Sequence, residues 1–283
     1  MKTNILIAIR NLIENDLNSI EKYKAMHYKI RINNMGGALE DLIKDALCNS
    51  FKLKDNKKIE RQNEYFSYLG NQNNPPDLII KNGDAFEIKK IEGNESNIAL
   101  NSSFPKDKLY SDSNMITNAC KNCEEGWVKK DICYVIGCIE KSKQSKKIKS
   151  LWFVYGDCYC AKPEAYIRIK NKITNSIQDL GIELSDTKEI AKIKKVDPLE
   201  ITELRVRGMW GIQHPSKVFE YITKKGNNPY LKVLMLKKKF NSFDENSKNE
   251  LSKKCKIKEV KIKNPNNPAN LLEAILIEYE FNA

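Results

Sequence analysis

The chain has 283 residues, of which 49 are Lys or Arg and 37 are Asp or Glu, so its formal net charge is +12. A hydrophobic fraction of 41% with 8% aromatic residues is enough for a buried core, which excludes a wholly disordered chain. No apolar run approaches the roughly 20 residues of a membrane span. The N-terminal apolar stretch is broken by Arg10 and has no cleavage site after it. We therefore expect a soluble, cytoplasmic protein with no membrane partner.

The elements expected in the first half of the chain change from helix to strand. Residues 1–50 are predicted to be helical, and one buried helix face follows Gly36 and Gly37. Its apolar residues recur at spacings of three and four, at Leu39, Leu42, Ile43, Ala46 and Leu47. A polar, Asn-rich stretch at 70–76 then precedes two short strands, joined by an Asn-Gly turn at Asn82 and Gly83.

The second half is predicted to alternate strands with one helix. Residues 94–118 are expected to be a loop. The candidate strands are 131–140, 151–157, 231–236, 258–263 and 274–281, and a helix is expected at 162–182, entered through Pro163. This pattern predicts a mixed α/β domain with a central sheet flanked by helices. We divide the single domain, 1–283, into an N-terminal helical part (1–70), a core (71–183) and a C-terminal part (184–283).

The eight cysteines allow two interpretations. Cys120 and Cys123 have the spacing of a metal knuckle, and Cys158 and Cys160 would supply a second pair on one face of a predicted strand. The first interpretation is a structural Zn²⁺ site. The second, which we favour, is reduced and inert thiols, because the second pair is separated by one residue rather than two.

The segment from Pro76-Asp77 to Glu87-Ile88-Lys89 carries the strongest chemical pattern. Side chains alternate faces along a strand, so Glu87 and Lys89 project together while Ile88 faces the core. The hairpin register decides whether Asp77 joins them. A two-residue Asn-Gly loop would put Asp77 on the wrong face, whereas a three-residue loop, with Gly83 in the left-handed position, would put it opposite Glu87.

Two carboxylates and an ammonium in one patch suit phosphodiester hydrolysis. Carboxylate oxygens are the ligands that Mg²⁺ prefers, and the ion stabilises the charge of the transition state and lowers the pKa of bound water. Lys89 would orient the attacking water or stabilise the phosphate. The other interpretation is an exposed hairpin with ordinary solvated charges.

The segment NPPDLIIKNGDAFEIKK resembles the active-site hairpin of the PD-(D/E)xK nuclease superfamily. The wider segments NMGGALEDLIKDALCNSF, SSFPKDKLYSDSNMITNAC, CYVIGCIE and LRVRGMWGIQHP resemble the NgoPII-like type II restriction endonucleases. This resemblance implies a restriction-endonuclease-like core and Mg²⁺-dependent cleavage of double-stranded DNA at a short palindrome, with GGCC expected. It also implies a cognate DNA methyltransferase as functional partner. By the same resemblance, Asp77 and Glu87 would be catalytic metal ligands, Lys89 the catalytic lysine, and Glu40 the acidic residue on the preceding helix.

Recognition is expected to lie in the segment from 203 to 215. Arg205 and Arg207 stand two apart and would leave an extended segment on the same face. Arginine is the preferred bidentate partner of guanine. Gln213 and His214 follow in the same segment and are included among the expected DNA contacts. Lys146 and Lys147 belong to the lysine-rich connection and are expected to contact phosphates without reading sequence.

Three functions are therefore compared. The first is a restriction endonuclease acting as a homodimer, because a palindrome offers two identical half-sites to a two-fold axis. The second is a nuclease-fold DNA-binding protein that has lost activity. The third, from another class, is a zinc-stabilised RNA-binding or scaffold protein built on the cysteines.

Overall fold

The computed structural model describes residues 2–15, 35–71, 74–93, 95–101, 103–140, 147–178, 190–194, 196–226 and 228–281. The α-helices are α1 (Ile5–Glu14), α2 (Met35–Cys48), α3 (Asp55–Tyr65), α4 (Asn118–Lys121), α5 (Gly156–Tyr159), α6 (Pro163–Gln178), α7 (Pro215–Val218), α8 (Lys237–Asn241) and α9 (Glu245–Ser252). The β-strands are β1 (Phe66–Asn71), β2 (Asn74–Ile80), β3 (Ala85–Glu92), β4 (Ile98–Asn101), β5 (Lys108–Tyr110), β6 (Lys129–Ile139), β7 (Ile148–Tyr155), β8 (Ala191–Ile193), β9 (Leu204–Val206), β10 (Trp210–Ile212), β11 (Tyr230–Leu236), β12 (Lys256–Asn264) and β13 (Asn267–Glu280). Within these described residues, no helix is long and apolar enough to cross a membrane.

A large mixed sheet forms the centre of the fold, as the sequence predicts. Its strand order is β1-β2-β3-β6-β7-β11-β13-β12, and β5 pairs with β6 beside this path. The pairs β3–β6 and β7–β11 are parallel, and the other neighbours are antiparallel. One hydrophobic cluster extends from Ile5 to Phe281, so strands from the beginning, middle and end of the chain share a core.

Helix α2 packs against the sheet through the apolar face that its sequence predicts. Leu39, Leu42, Ile43, Ala46 and Leu47 are all at most 1% exposed. The helix begins at Met35, before the glycine pair rather than after it. At its contact with β6, a Cβ on Gly137 would lie only 2.7 Å from Leu39 Cδ2, so glycine permits the close approach of helix and strand.

Most of the longer predicted elements are confirmed, and the errors have local causes. The strands β6, β7, β11, β12 and β13 and the helix entered through Pro163 are present. The strand expected to continue through Cys158 and Cys160 is wrong, because β7 ends at Tyr155 and the next residues form the single turn α5. The short strands β4 and β5 lie in the region expected to be a loop.

Two small sheets carry the segment expected to recognise DNA. Strand β10 pairs with β4, and β9 pairs with β8. Trp210 of β10 is half-buried, with its ring centroid 6.2 Å from that of Phe104 and 5.5 Å from that of Tyr166. The contact with Phe104 joins the 208–215 segment to the loop that precedes β5, and the contact with Tyr166 joins it to α6.

Candidate active site

The β2–β3 hairpin brings Asp77 and Glu87 together. The register pairs Leu78 with Phe86, so the next residues outward, Asp77 and Glu87, lie directly opposite each other. The Asp77 carboxylate also accepts a hydrogen bond from the backbone N–H of Ile88 at 2.5 Å. The register that the three-residue loop predicts is therefore confirmed.

The turn differs from the prediction in one residue. The N–H of Ile80 donates to the carbonyl of Asp84 at 3.0 Å, and the N–H of Gly83 donates to the carbonyl of Ile80 at 2.9 Å. The left-handed residue is Asn82, with φ of 55°, and not Gly83 as expected. Asparagine tolerates this conformation better than most side chains do. Glycine at 83 instead permits close approach, because a Cβ there would lie 3.1 Å from Ile80 Cβ.

Glu87 and Lys89 project from the same face of β3, and their side chains form an ion pair. The Lys89 Nζ lies 2.6 Å from Glu87 Oε1. Glu87 is only 7% exposed, and its other oxygen, Oε2, is buried without a hydrogen-bond partner among the described residues. A buried acceptor without a partner is costly, so this oxygen is available for a ligand.

Burial and like charge hold Asp77 partly protonated near neutral pH. Burial raises the pKa of its carboxyl most, and the Glu87 carboxylate raises it further, to about 7. The Lys89 ammonium and the Ile88 N–H oppose this rise. For Lys89 itself, burial lowers the pKa, but the carboxylates of Glu87 and Asp77 outweigh burial and raise it. The ammonium therefore stays charged beside the pair.

The carboxylate pair fits a divalent cation that keeps most of its water. Asp77 and Glu87 offer hard oxygen ligands, and Glu87 Oε2 has no hydrogen-bond partner among the residues that the structure describes. No group of three or more His, Cys, Asp or Glu side chains suited to holding a metal occurs in the described part of the chain. Mg²⁺ in phosphate-transfer sites commonly uses one or two carboxylates together with waters and phosphate oxygens. Two carboxylates therefore fit Mg²⁺, which takes its other ligands from water and phosphate. They do not fit an ion that needs all its ligands from the protein.

Glu40 lies on α2, within electrostatic range of the hairpin. Its charge contributes to the raised pKa values of both Asp77 and Lys89. Its carboxylate is half-buried and lies 2.5 Å from the Nζ of Lys44. The neighbouring Asp41 is 4.0 Å from the same ammonium. The structure thus places Glu40 near the carboxylate pair without a direct contact to it.

The expected recognition residues fall into exposed and buried groups. Arg205 on β9 and Arg207 just beyond it are exposed, with Val206 between them. Gln213 is exposed as well, and its carbonyl accepts a hydrogen bond from the Tyr159 hydroxyl. Of the two connection lysines, Lys147 is exposed, whereas Lys146 lies outside the described residues.

His214 is the exception, and its expected contact with DNA needs correction. The side chain is 0% exposed, and its Nδ1 lies 2.8 Å from the Ser216 hydroxyl at the beginning of α7. Burial lowers its pKa to about 4, against the opposing effect of Glu95, so the ring is neutral at pH 7. A fully buried neutral ring that caps a helix cannot reach a DNA groove.

The cysteines favour the interpretation as inert thiols. Burial raises the pKa of Cys120 to about 12, and it also raises the pKa values of Cys158 and Cys160. Zinc binds the thiolate, which these environments disfavour. The four cysteines of the two pairs do not form a ligand group within the described residues.

One charged residue near the site was missed by sequence reasoning. Lys106 is 5% exposed and interacts electrostatically with Glu87 and Lys89. Lys106 lies in the segment SSFPKDKLYSDSNMITNAC, which carries part of the family resemblance, but nothing there distinguishes it from the other 48 Lys and Arg residues of the chain. Lys106 comes near Glu87 and Lys89 because β5, which follows it, pairs with β6, some twenty residues further along the chain.

Comparison with known proteins places the chain among the type II restriction endonucleases, which are site-specific deoxyribonucleases. The type II restriction enzyme NgoPII of Neisseria gonorrhoeae is 44% identical over 281 residues, which cover 98% of this chain and 99% of the relative. The model of the NgoPII restriction endonuclease family matches residues 3–266. The chain belongs to the NgoPII restriction endonuclease family. No solved structure matches it.

Proposed function

We propose that the chain is a Mg²⁺-dependent endonuclease with a PD-(D/E)xK core, which hydrolyses phosphodiester bonds of double-stranded DNA at a short palindrome, with GGCC the expected site. The observation that carries this proposal is the convergence of Asp77, Glu87 and Lys89 on one face of a hairpin. The family to which the chain belongs supports the reaction type.

Each of these side chains has a distinct proposed role. Asp77 and Glu87 would hold Mg²⁺, which supplies charge stabilisation and acidifies a bound water. Asp77 would have to release the proton that burial favours on it before it could bind the cation, and Glu87 would contribute its oxygen that has no partner among the described residues. Lys89, kept charged by the pair, would then orient the attacking water or bind a phosphate oxygen.

The two alternative functions have less support. A nuclease fold that has lost activity would not need to keep all three catalytic side chains, and here they converge. A zinc-stabilised scaffold would need thiolates, whereas burial raises the pKa of the cysteines in both candidate pairs.

Recognition would come from the exposed arginines, and backbone contacts from surface lysines. Arg205 and Arg207 would each donate to guanine O6 and N7, and Gln213 lies on the same exposed segment. Lys147 would contact a phosphate without reading sequence, as would Lys146. Replacing either arginine by alanine should cost about 1–3 kcal/mol of discrimination against a single G·C→A·T change. Lysine should not restore it, because an ammonium cannot form the planar fork.

The working form would be a homodimer paired in the cytoplasm with a cognate DNA methyltransferase. A two-fold axis lets one surface read both half-sites of a palindrome while each subunit cuts one strand. The methyltransferase would protect the host's own copies of the site. Sedimentation of the protein with specific DNA should show two subunits per duplex, and a monomer alone on the DNA would exclude this arrangement.

Digestion of a phage-sized DNA tests the proposal directly. With Mg²⁺ we expect discrete bands whose ends define one short palindrome. With Ca²⁺ we expect binding but little cleavage, because the larger ion accepts looser geometry. Random degradation, or no cleavage with any divalent cation, would overturn the proposed function.

A further inference from the structure

The loop before β5 holds Lys106 over the same sheet face as the catalytic carboxylate. The backbone N–H of Lys106 donates to the Tyr134 hydroxyl at 2.7 Å. Tyr134 is the partner of Glu87 in the parallel pairing of β3 with β6, so both side chains leave the same face of the sheet. Gly156 lets the loop approach closely, because a Cβ there would lie 2.2 Å from the Lys106 carbonyl oxygen.

The ammonium of Lys106 is buried without a carboxylate partner within 4 Å in the described part of the chain. Its Nζ donates to the Ser103 hydroxyl and to the Phe104 carbonyl, the latter at 3.2 Å, and lies 5.1 Å from the centre of the Phe104 ring. Burial lowers its pKa to about 8, although the Glu87 carboxylate opposes this. A buried cation held only by neutral acceptors costs free energy that an apolar side chain of similar length would not.

Lys106 also borders a cavity of about 660 Å³. Phe104 and Trp210 contribute aromatic surface to it. The Lys108 ammonium is paired with Asp131 and Asp157, so it adds little free positive charge. The other charged lining residues are three lysines and two acidic residues, a balance of one positive charge: Lys106, Lys162, Lys170, Asp112 and Glu164. Lys106 therefore borders the cavity and lies close enough to Glu87 and Lys89 to interact electrostatically with both, a position suited to an anion adjoining the hairpin.

We propose that Lys106 binds a backbone phosphate of the DNA next to the phosphate that is cleaved, at the mouth of this cavity. The inference rests on the proposed function, which supplies the duplex DNA. On binding, the ammonium would exchange the neutral Ser103 and Phe104 acceptors for a phosphate oxygen, which forms a stronger, charge-assisted hydrogen bond. The free-energy cost of burying the lysine in the unbound protein would then be offset in the complex.

The salt dependence of DNA binding tests this contact. Each phosphate contact contributes about 0.9 to the slope of log K against log of the salt concentration. Binding is measured with Ca²⁺ in place of Mg²⁺, so that the DNA is bound but little is cut. The variant Lys106→Met should reduce the magnitude of that slope by about 0.9 per subunit bound, for cognate and non-cognate duplexes alike. Lys106→Arg should keep the slope, because it keeps the charge.

Lys232→Met is the control for losing a buried ammonium elsewhere in the chain. Lys232 is 4% exposed, and its Nζ donates to Thr223 and to the carbonyl of Lys224, both at 2.6 Å, and lies 3.6 Å from Glu278 Oε1. We expect no change of salt slope in this variant. Thermal unfolding separates a structural role from a phosphate contact, since Lys106→Met should be at least as stable as the unchanged protein.

A neutral methylphosphonate, placed at each backbone position in turn, locates the contact. At one position near the cleaved bond, the unchanged protein should lose affinity while Lys106→Met and Lys106→Gln lose none. Two results would overturn the inference. One is an unchanged salt slope in Lys106→Met, and the other is an equal loss of affinity for the unchanged protein and both variants at every methylphosphonate position. Loss of stability with an unchanged slope would overturn it too, and would assign Lys106 to packing. Binding without cleavage by the unchanged protein would defeat the proposed function alone, and absence of duplex binding would defeat both.

Discussion

Glu87 and Glu95 are buried glutamates at the beginning and just beyond the end of the same strand, yet their surroundings differ. Glu95 accepts hydrogen bonds from Ser150 at 3.1 Å and from Ser216 and Tyr230 at 2.7 Å, and it pairs with Lys225. Burial alone would raise its pKa, but these donors lower it to about 2.

Glu87 has an ion pair with Lys89 on one oxygen, and the other oxygen has no partner in the described residues. The carboxylate opposite it, Asp77, has a pKa raised to about 7, largely by burial. A carboxylate surrounded by donors stabilises the fold, whereas one left short of donors can accept a ligand. The difference would separate a structural acid, Glu95, from the proposed functional one, Glu87, without reference to sequence position.

Of the changes that test this comparison, Glu87→Gln should have the largest effect, and that effect should be on cleavage. If Glu87 is a metal ligand, as proposed, its loss removes several kcal/mol of transition-state stabilisation, so cleavage should fall about a thousandfold or more. Asp77→Ala and Lys89→Ala should also abolish cleavage while DNA binding persists. Single-turnover cleavage with Mg²⁺ measures the effect. Retention of more than a tenth of the rate by the Glu87 variant would remove that residue from the site.

Glu95→Gln should act on stability instead. It leaves donors of Ser216, Tyr230 and Lys225 with a poorer acceptor, which should cost about 1–3 kcal/mol of unfolding free energy at pH 7. Because the folded pKa of Glu95 is lowered from 4.5 to about 2, its contribution is complete above pH 4.5 and is lost as the pH falls toward 2.

Urea unfolding at several pH values measures the Glu95 effect. The variant should therefore lose less stability than the unchanged protein between pH 4.5 and pH 2. Glu87→Gln is the matched control and should show no comparable loss at pH 7. Equal stability of the Glu95 variant and the unchanged protein at pH 7 would contradict the structural assignment.

Proton competition at Asp77 should give a smaller effect. The carboxyl holds its proton below about pH 7 in the absence of metal, and a bound cation must displace that proton. The apparent affinity for Mg²⁺ or Mn²⁺, measured by calorimetry without DNA, should weaken about tenfold per pH unit below 7. Binding that is independent of pH from 5.5 to 8 would contradict the raised pKa.

Glu40→Gln should have the smallest effect. Glu40 acts on Asp77 and Lys89 only through space, and Lys44 already neutralises much of its charge. We expect cleavage to fall less than tenfold, with Asp41→Asn as the neighbouring control. A loss as large as that of Glu87→Gln would show instead that Glu40 binds the metal directly.

The sequence predicts the hairpin well because its determinants are local. Alternation puts Glu87 and Lys89 on one face, and loop length alone fixes the position of Asp77. Even there, the sequence does not reveal that Asn82 rather than Gly83 takes the left-handed conformation.

Features that depend on long-range pairing could not be predicted in the same way. Lys106 reaches the site through the pairing of β5 with β6, and His214 is buried by packing near Glu95. Helix α3 falls within the part expected to be helical (1–70), but its own bounds were not predicted, because its sequence, DNKKIERQNEY, is polar and lacks a clear apolar face. The division of the chain into three parts remains a prediction.

Because most of the thiols are buried, a thiol-reactive label should react with this protein at few positions. Seven cysteines are buried, and Cys123 alone among the eight is partly exposed. The next residue, Glu124, accepts the backbone N–H of Asn82 at 2.9 Å, so Cys123 lies close behind the hairpin turn. Burial raises the pKa of Cys123 as well, so a maleimide fluorophore should attach there at alkaline pH, ahead of the seven buried thiols. Its emission would report the arrival of DNA at the hairpin in real time.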